Sequence, residues 1–249
     1  MKPGLMTSDI LTLIPARMAA SRLPGKPLAE IAGKPMICHV WEKAMAADLG
    51  PVVVATDSAE IMAAIKGAGG RAVLTAADHP SGSDRIYEAL CHIDEAGKYD
   101  AVINLQGDLP ELDPQLLHHL ARLLDNPAWD LTTLVAPATA EEAAKSQIVK
   151  AVVSFSDRAQ TSGKALYFSR AAVPDGPAPF LHHIGLYGWR RAALARFVKL
   201  PPSPLEMSEK LEQLRALEAG MQIGVAVVDE APGGIDTAAD LAAARARLG

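Results

Sequence analysis

Ile10-Leu11-Thr12-Leu13-Ile14-Pro15 and Pro51-Val52-Val53-Val54-Ala55-Thr56 carry the clearest architectural signal in the chain. Each is a short, nearly apolar, β-rich run, the pattern of a strand covered on both faces. Between them the apolar residues of Met36 to Asp48 recur at helical spacing, and Ala59 to Ala68 reads as a second helix. The alternation continues outward with a strand at Arg71 to Leu74, a helix at Ser83 to Ile93, a strand at Ala101 to Leu105 and a helix at Pro114 to Leu124. Strands alternating with helices in this way predict an α/β fold with a mostly parallel central sheet flanked by helices. Strands at Leu131 to Pro137 and Val149 to Phe155 follow, and then the rhythm breaks. Residues 156–182, with the Pro- and Gly-dense stretch Val173 to Pro179, read as a loop or hairpin insertion. Helices at Arg191 to Lys199 and Pro204 to Ala219, a strand at Ile223 to Val228 and a helix at Thr237 to Leu248 complete a single domain over residues 1–249.

Composition bounds the function. A chain of 249 residues, 49% hydrophobic and 21% charged, has ample material for one packed core. Its formal net charge of −5 argues against a general nucleic-acid binder, which needs a basic face to neutralise phosphates. Small anionic ligands remain compatible with it through local clusters of Arg and Lys. The two cysteines, Cys38 and Cys91, fall in helical stretches far apart, so neither a disulfide framework nor a zinc site is expected. No apolar run approaches the ~18 residues of a membrane span, and no leader pattern follows the first apolar segment, so a cytoplasmic protein with no membrane partner is expected.

The first predicted strand runs into Pro15-Ala16-Arg17-Met18-Ala19-Ala20-Ser21-Arg22-Leu23-Pro24-Gly25-Lys26-Pro27. Arg17, Arg22 and Lys26 thus lie at the carboxyl end of a strand, the edge of an open α/β sheet where ligands bind. The loop fits neither the P-loop nor the dinucleotide fingerprint, since Gly25-Lys26 is followed by Pro27. Two readings stand: a phosphate cradle in which glycine admits the anion and the cations hold it, or an exposed loop whose charges are merely solvated. Asp108, in Gln106-Gly107-Asp108 after the Ala101 strand, is a metal-ligand candidate or a turn residue before Pro110. Asp236, just before the last helix, is another such candidate or an N-cap. The aromatics Tyr167, Tyr187 and Trp189 read as core and interface residues.

Pro15-Ala16-Arg17 followed by Arg22-Leu23-Pro24-Gly25-Lys26-Pro27 resembles the signature loop of the sugar cytidylyltransferases, and among them the family that activates 3-deoxy-manno-octulosonate (Kdo). The resemblance covers nearly the whole chain. Further matches are Asp78-His79, Ser81-Gly82-Ser83-Asp84-Arg85, Gln106-Gly107-Asp108, Leu166-Tyr167-Phe168-Ser169-Arg170, His183-Ile184-Gly185-Leu186-Tyr187, Pro202 to Glu206, Leu211 to Arg215 and Ile235-Asp236-Thr237. It implies a nucleotide-diphospho-sugar-transferase-like fold and a nucleotidyltransferase that joins CTP to Kdo, with Mg2+ as cofactor. In its terms Arg17, Lys26, Asp108 and Asp236 are catalytic, and Asp108 and Asp236 hold the metal. Pro15, Ala16, Arg17, Arg22, Lys26, Ser81 and Arg85 bind CTP, and Gln106, Arg170, His183, Glu212 and Gln213 line the sugar cavity. Read without the family, Ser81 is a helix cap, Arg85 and Arg170 are surface cations, and His183 is a histidine packed at a strand start. The family also implies a homodimer, with residues 156–182 as a dimerisation element.

This chain departs from the family in carrying His182 beside His183 and a short preceding loop, which opens the question of a related acidic sugar such as 8-amino-Kdo as acceptor. A glycosyltransferase on the same sheet is disfavoured because Gln106-Gly107-Asp108 lacks the Asp-x-Asp pattern. A catalytically silent nucleotide-binding homologue would be expected to lack Asp108 or Asp236.

Overall fold

The computed structural model describes residues 9–19, 23–156, 158–177 and 179–249. Arg22 and parts of the 156–182 segment lie outside them. In chain order the elements are β1 Ile10–Ala16, β2 Glu30–Ile31, β3 Lys34–Pro35, α1 Met36–Ala46, β4 Val52–Thr56, α2 Ala59–Gly67, β5 Arg71–Leu74, α3 Gly82–Ile93, β6 Ala101–Asn104 and α4 Gln115–Leu123. There follow β7 Leu131–Ala138, α5 Ala140–Ala143, β8 Lys150–Phe155, β9 Ser162–Ser169, β10 Phe180–Arg190, α6 Arg191–Phe197, α7 Pro204–Glu209, α8 Gln213–Glu218, β11 Ile223–Val227 and α9 Ala238–Leu248. The chain divides into two compact units, one holding the described residues up to His118 together with Pro232–Gly249, the other His119–Ala231.

In the first unit the strands run β5-β4-β1-β6, all parallel, with Thr12 opposite Val52 on one side of β1 and opposite Ile103 on the other. Leu11, Leu13, Ile14, Val54 and Ile103 have no exposed surface, which is why these strands read as nearly apolar runs. Ser58 and Ser81 cap α2 and α3 by accepting main-chain N–H bonds. Sequence reading missed the small hairpin β2–β3. Its two-residue turn places Ala32 and Gly33 at φ 49° and 73°, the doubly left-handed geometry of a tight hairpin turn.

The last helix belongs to this unit. Leu241 and Ala244 of α9 pack with Ile31, Met36 and Ile235. Arg245 Nε donates to the Glu30 carbonyl at 2.7 Å, and Arg247 pairs with Glu111. The Ile235 amide donates to the Asp108 carbonyl at 3.0 Å, which ties residues 235 and 236 to the loop after β6.

In the second unit the strands pair in the order β10-β7-β11-β9-β8, and β8 meets β10 again where Lys150 stands opposite His182, so the strands form a circuit. Only β11 and β7 are parallel here; the β10–β7, β11–β9, β8–β9 and β8–β10 pairs are antiparallel. The stretch expected to be loop-rich therefore carries a full strand, β9, and the first residues of β10. The strand signal of β9 is weak because Ser162, Gly163 and Lys164 open it, while its packing is strong: Ala165 and Phe168 are fully buried. Gly163 is needed at the β8–β9 crossing, where a Cβ would collide with the Ser154 carbonyl and lie 2.9 Å from the Phe155 Cα. The single helix expected at 204–219 is two, α7 and α8, because Lys210 takes φ 57° and its amide closes α7 onto the Glu206 carbonyl.

Candidate active site

Three loops of the first unit meet in one cleft of about 270 Å3, lined by Pro15, Ala16, Arg17, Leu23, Lys26, Pro27, Gln106, Gly107, Asp108 and Asp236. The first loop leaves β1 and the second leaves β6, neighbouring parallel strands whose carboxyl ends point the same way. Gly107 lets the two loops approach: a Cβ there would stand 3.1 Å from the Pro15 carbonyl oxygen and 3.2 Å from Ile37. The third loop brings Asp236, delivered by the docking of α9.

Gly25 at φ 71° turns the chain, Pro27 is buried, and Lys26 opens a short 3-10 turn that fixes its main chain. Its ammonium donates to Asp108 Oδ2 at 2.8 Å, to the Ile235 carbonyl at 2.7 Å and to Asp236 Oδ1 at 3.3 Å. The two acids named as metal ligands therefore converge on one cation. Two carboxylates and a carbonyl are the hard oxygen donors that Mg2+ takes, so these residues fit such an ion. Among the described residues no group of three or more His, Cys, Asp or Glu is placed to hold a metal ion by itself. Arg17 is exposed at the cleft. Arg22 lies outside the described residues.

Beside the cleft is a recess of about 160 Å3 that shares Pro15, Ala16, Arg17 and Gln106 with it and adds His79, Ser81, Gly82 and Arg85. Ser81 both caps α3 and donates to Asp84 at 2.7 Å. Arg85 is not a surface cation. It is only 3% exposed, donates to Thr75 Oγ1 at 2.6 Å and pairs with Asp57 at 3.0 Å. His79, which the sequence offers only as part of a motif, stands in the recess wall, paired with Glu88. Burial would raise the Glu88 carboxyl, but its bonds to His79 and the Ala76 amide outweigh that and hold it below the usual range.

The sugar candidates other than Gln106 belong to the second unit. His183 is buried on β10 where the register slips between Ile184 and Tyr187. The Thr133 hydroxyl fills this bulge, within 2.8 Å of the Leu186 carbonyl and 3.1 Å of the Ile184 carbonyl. Having given its proton to a carbonyl, Thr133 accepts from His183 Nε2–H at 2.9 Å, which leaves Nδ1 to accept from the Gln213 amide at 3.5 Å. Burial, reinforced by neighbouring His182, pulls His183 down to about 3, so the ring is neutral at physiological pH. Phe168 meets the ring edge-on at 4.8 Å.

Arg170 donates to three main-chain carbonyls, those of Glu209, Ser146 and Lys210, while its amide bonds the Glu209 carboxylate at 2.9 Å. Glu212 stands at the start of α8 with its carboxylate 3.8 Å from Arg215. Thr133 and Glu209 were missed as partners of these residues. A threonine inside a strand run and a glutamate in a helix carry no local mark of such a role.

A family model described as cytidylyltransferase matches residues 11–223, and the chain belongs to the cytidylyltransferase family. Within it the chain is 59% identical over 242 residues to the 3-deoxy-manno-octulosonate cytidylyltransferase of Bradyrhizobium sp. (strain ORS 278), covering 97% of this chain and 98% of that one. It is 57% identical to the enzyme of the same name from Rhodospirillum centenum (strain ATCC 51521 / SW), over 96% of this chain and 93% of the relative. Among solved structures, CMP:2-keto-3-deoxy-manno-octonic acid synthetase complexed with CTP superposes with a TM-score of 0.89 at 40% identity, covering 97% of this chain and 98% of that one. A cytidylyltransferase from Leptospira borgpetersenii serovar Hardjo-bovis (strain JB197) shares the fold, with a TM-score of 0.60 at 16% identity over 93% of this chain and 83% of that one.

Proposed function

We propose that this chain transfers CMP from CTP to Kdo, releasing pyrophosphate and supplying activated Kdo to lipopolysaccharide synthesis. The observation that carries the reading is the meeting of Arg17, Lys26, Asp108 and Asp236 in one cleft, in a chain 59% identical to an enzyme named for this reaction. A sugar hydroxyl oxygen bonds to the α-phosphorus of CTP, the bond from that phosphorus to the bridging oxygen of the β-phosphate breaks, and the hydroxyl proton passes to solvent. No covalent enzyme intermediate is required, so the chain's task is to position and to neutralise.

Arg17 and Lys26 would bind the triphosphate and then the leaving pyrophosphate as charge-assisted donors. The recess with Ser81 and Arg85 suits the cytosine, with Pro15 and Ala16 as its floor, while Gln106, Arg170, His183, Glu212 and Gln213 are assigned to the sugar. Asp108 and Asp236 would hold Mg2+, which supplies charge neutralisation and lowers the pKa of the attacking hydroxyl. Among the described residues no helix is long and apolar enough to cross a membrane; we assign the chain to the cytoplasm on the family resemblance. We assign the homodimer to the region around β9, where Leu166 is 53% exposed.

The test is pyrophosphate release from CTP and Mg2+ with and without Kdo, set against other triphosphates and against 8-amino-Kdo. Kdo-dependent release specific to CTP is expected. Binding of CTP without turnover would identify a silent homologue, and faster release with 8-amino-Kdo would reassign the acceptor.

A further inference from the structure

One ammonium fills the space between the two acids. All three protons of Lys26 Nζ are engaged, by Asp108, the Ile235 carbonyl and Asp236. These oxygens are also the donors the chain can offer a divalent ion. The main chain at Lys26 is fixed by Gly25 and the buried Pro27, so only the side chain can swing.

We infer that Lys26 is the resident counter-ion of the metal site, occupying its oxygens until a nucleoside triphosphate draws the ammonium onto its phosphates and releases them to the divalent cation. The inference rests on the assignment of Asp108 and Asp236 as metal holders. The charges make the exchange concerted. Withdrawing the ammonium with nothing in its place leaves two carboxylates facing each other, which like-charge repulsion opposes. Bringing in the metal with no phosphate to receive the ammonium strands a cation in a half-buried cleft. Each half of the exchange thus supplies what the other lacks, so triphosphate and metal bind with positive and reciprocal coupling. Lys26 is here a positioning residue for the ion as well as a phosphate donor.

The experiment titrates Mn2+ into the full chain without nucleotide and follows free Mn2+ by electron paramagnetic resonance. Wild type is expected to bind weakly, and Lys26→Met and Lys26→Gln to bind about tenfold more tightly, within the usual range of such couplings. Equal or weaker affinity in both variants, with cooperative melting retained, overturns the inference. Should the variants not fold, the Lys26 13Cε resonance of the wild-type chain decides: it is expected to stay in place with Mg2+ alone and to move when an α,β-methylene analogue of CTP joins the Mg2+. Movement with Mg2+ alone, or none with both, overturns the exchange. Asp108→Asn separates this from the assignment beneath it. If that change leaves Mn2+ binding of the Lys26→Met chain untouched, the metal-ligand reading fails and the exchange with it. If it abolishes Mn2+ binding while the Lys26 variants bind no tighter than wild type, only the exchange fails.

Discussion

The two units keep their polar chemistry in opposite places. In the first, the parallel strands bury mainly apolar side chains, with Thr12, Thr56 and Asn104 as small uncharged exceptions, and the working side chains hang from loops at the strand ends, where Arg17 and Asp236 are exposed. In the second, antiparallel strands carry polar groups inward: His183 is buried against Phe168, and Lys150, with no exposed surface, donates to the carbonyls of Lys145, Ile148 and Arg170. Burial lowers the Lys150 ammonium, with Arg170 adding to the effect. Loop groups can change partners without disturbing the core, whereas buried ones are part of it. The first unit should therefore lose chemistry when altered at its site, and the second should lose stability.

The sharpest test is Asp108→Asn, expected to lower turnover about a thousandfold, or about 4 kcal/mol of barrier, with little change in melting temperature. Pyrophosphate release and calorimetry on one sample check it, and a large drop in melting temperature would break the contrast. Phe168→Ala removes a fully buried ring beside His183 and should cost about 3–4 kcal/mol of stability in denaturant titration.

Arg85→Met is the case that tests the boundary of the rule, because Arg85 is a buried ion-pair partner inside the loop-based unit. Leaving Asp57 and Thr75 without it should cost about 2–3 kcal/mol, measured in the same way. If the cost is near zero, the recess tolerates an unpaired acid and the pair serves ligand binding alone.

The smallest effect is a slope with pH. His183 is pulled from 6.5 to about 3 in the fold, so between those values the unfolded chain binds the extra proton. Stability must then rise with pH through that window and be lost as pH falls below about 6.5, at no more than about 1.4 kcal/mol per pH unit. His183→Gln should flatten that slope, read from urea midpoints at pH 6.5 and 5. An unchanged slope would place the pH sensitivity in other groups.

The first unit was legible because its signals are local. Apolar runs at Ile10 and Val52 give covered strands, and Arg17, Lys26 and Asp108 follow strand ends at short range, so position in sequence predicts position in the cleft. Asp236 needed the family resemblance, since an acid just before a helix is otherwise a cap; here Thr237 takes that role, accepting from the Asp240 amide. In the second unit the reading failed where packing outranks propensity. β9 begins Ser-Gly-Lys and gains its order from Phe168 and from pairing with β8 and β11. Lys26 was read as a phosphate ligand alone, because nothing in the sequence says that a residue 82 positions before Asp108 and 210 before Asp236 bonds to both.

The cleft's second acid, tied to Asp108 through the amide of Ile235, is carried by a helix that lines no part of the cleft. Loosening Leu241 and Ala244 from Ile31 and Met36 would therefore carry Asp236 away from Lys26 without altering any residue of the cleft wall, so the site can be dismantled from outside itself.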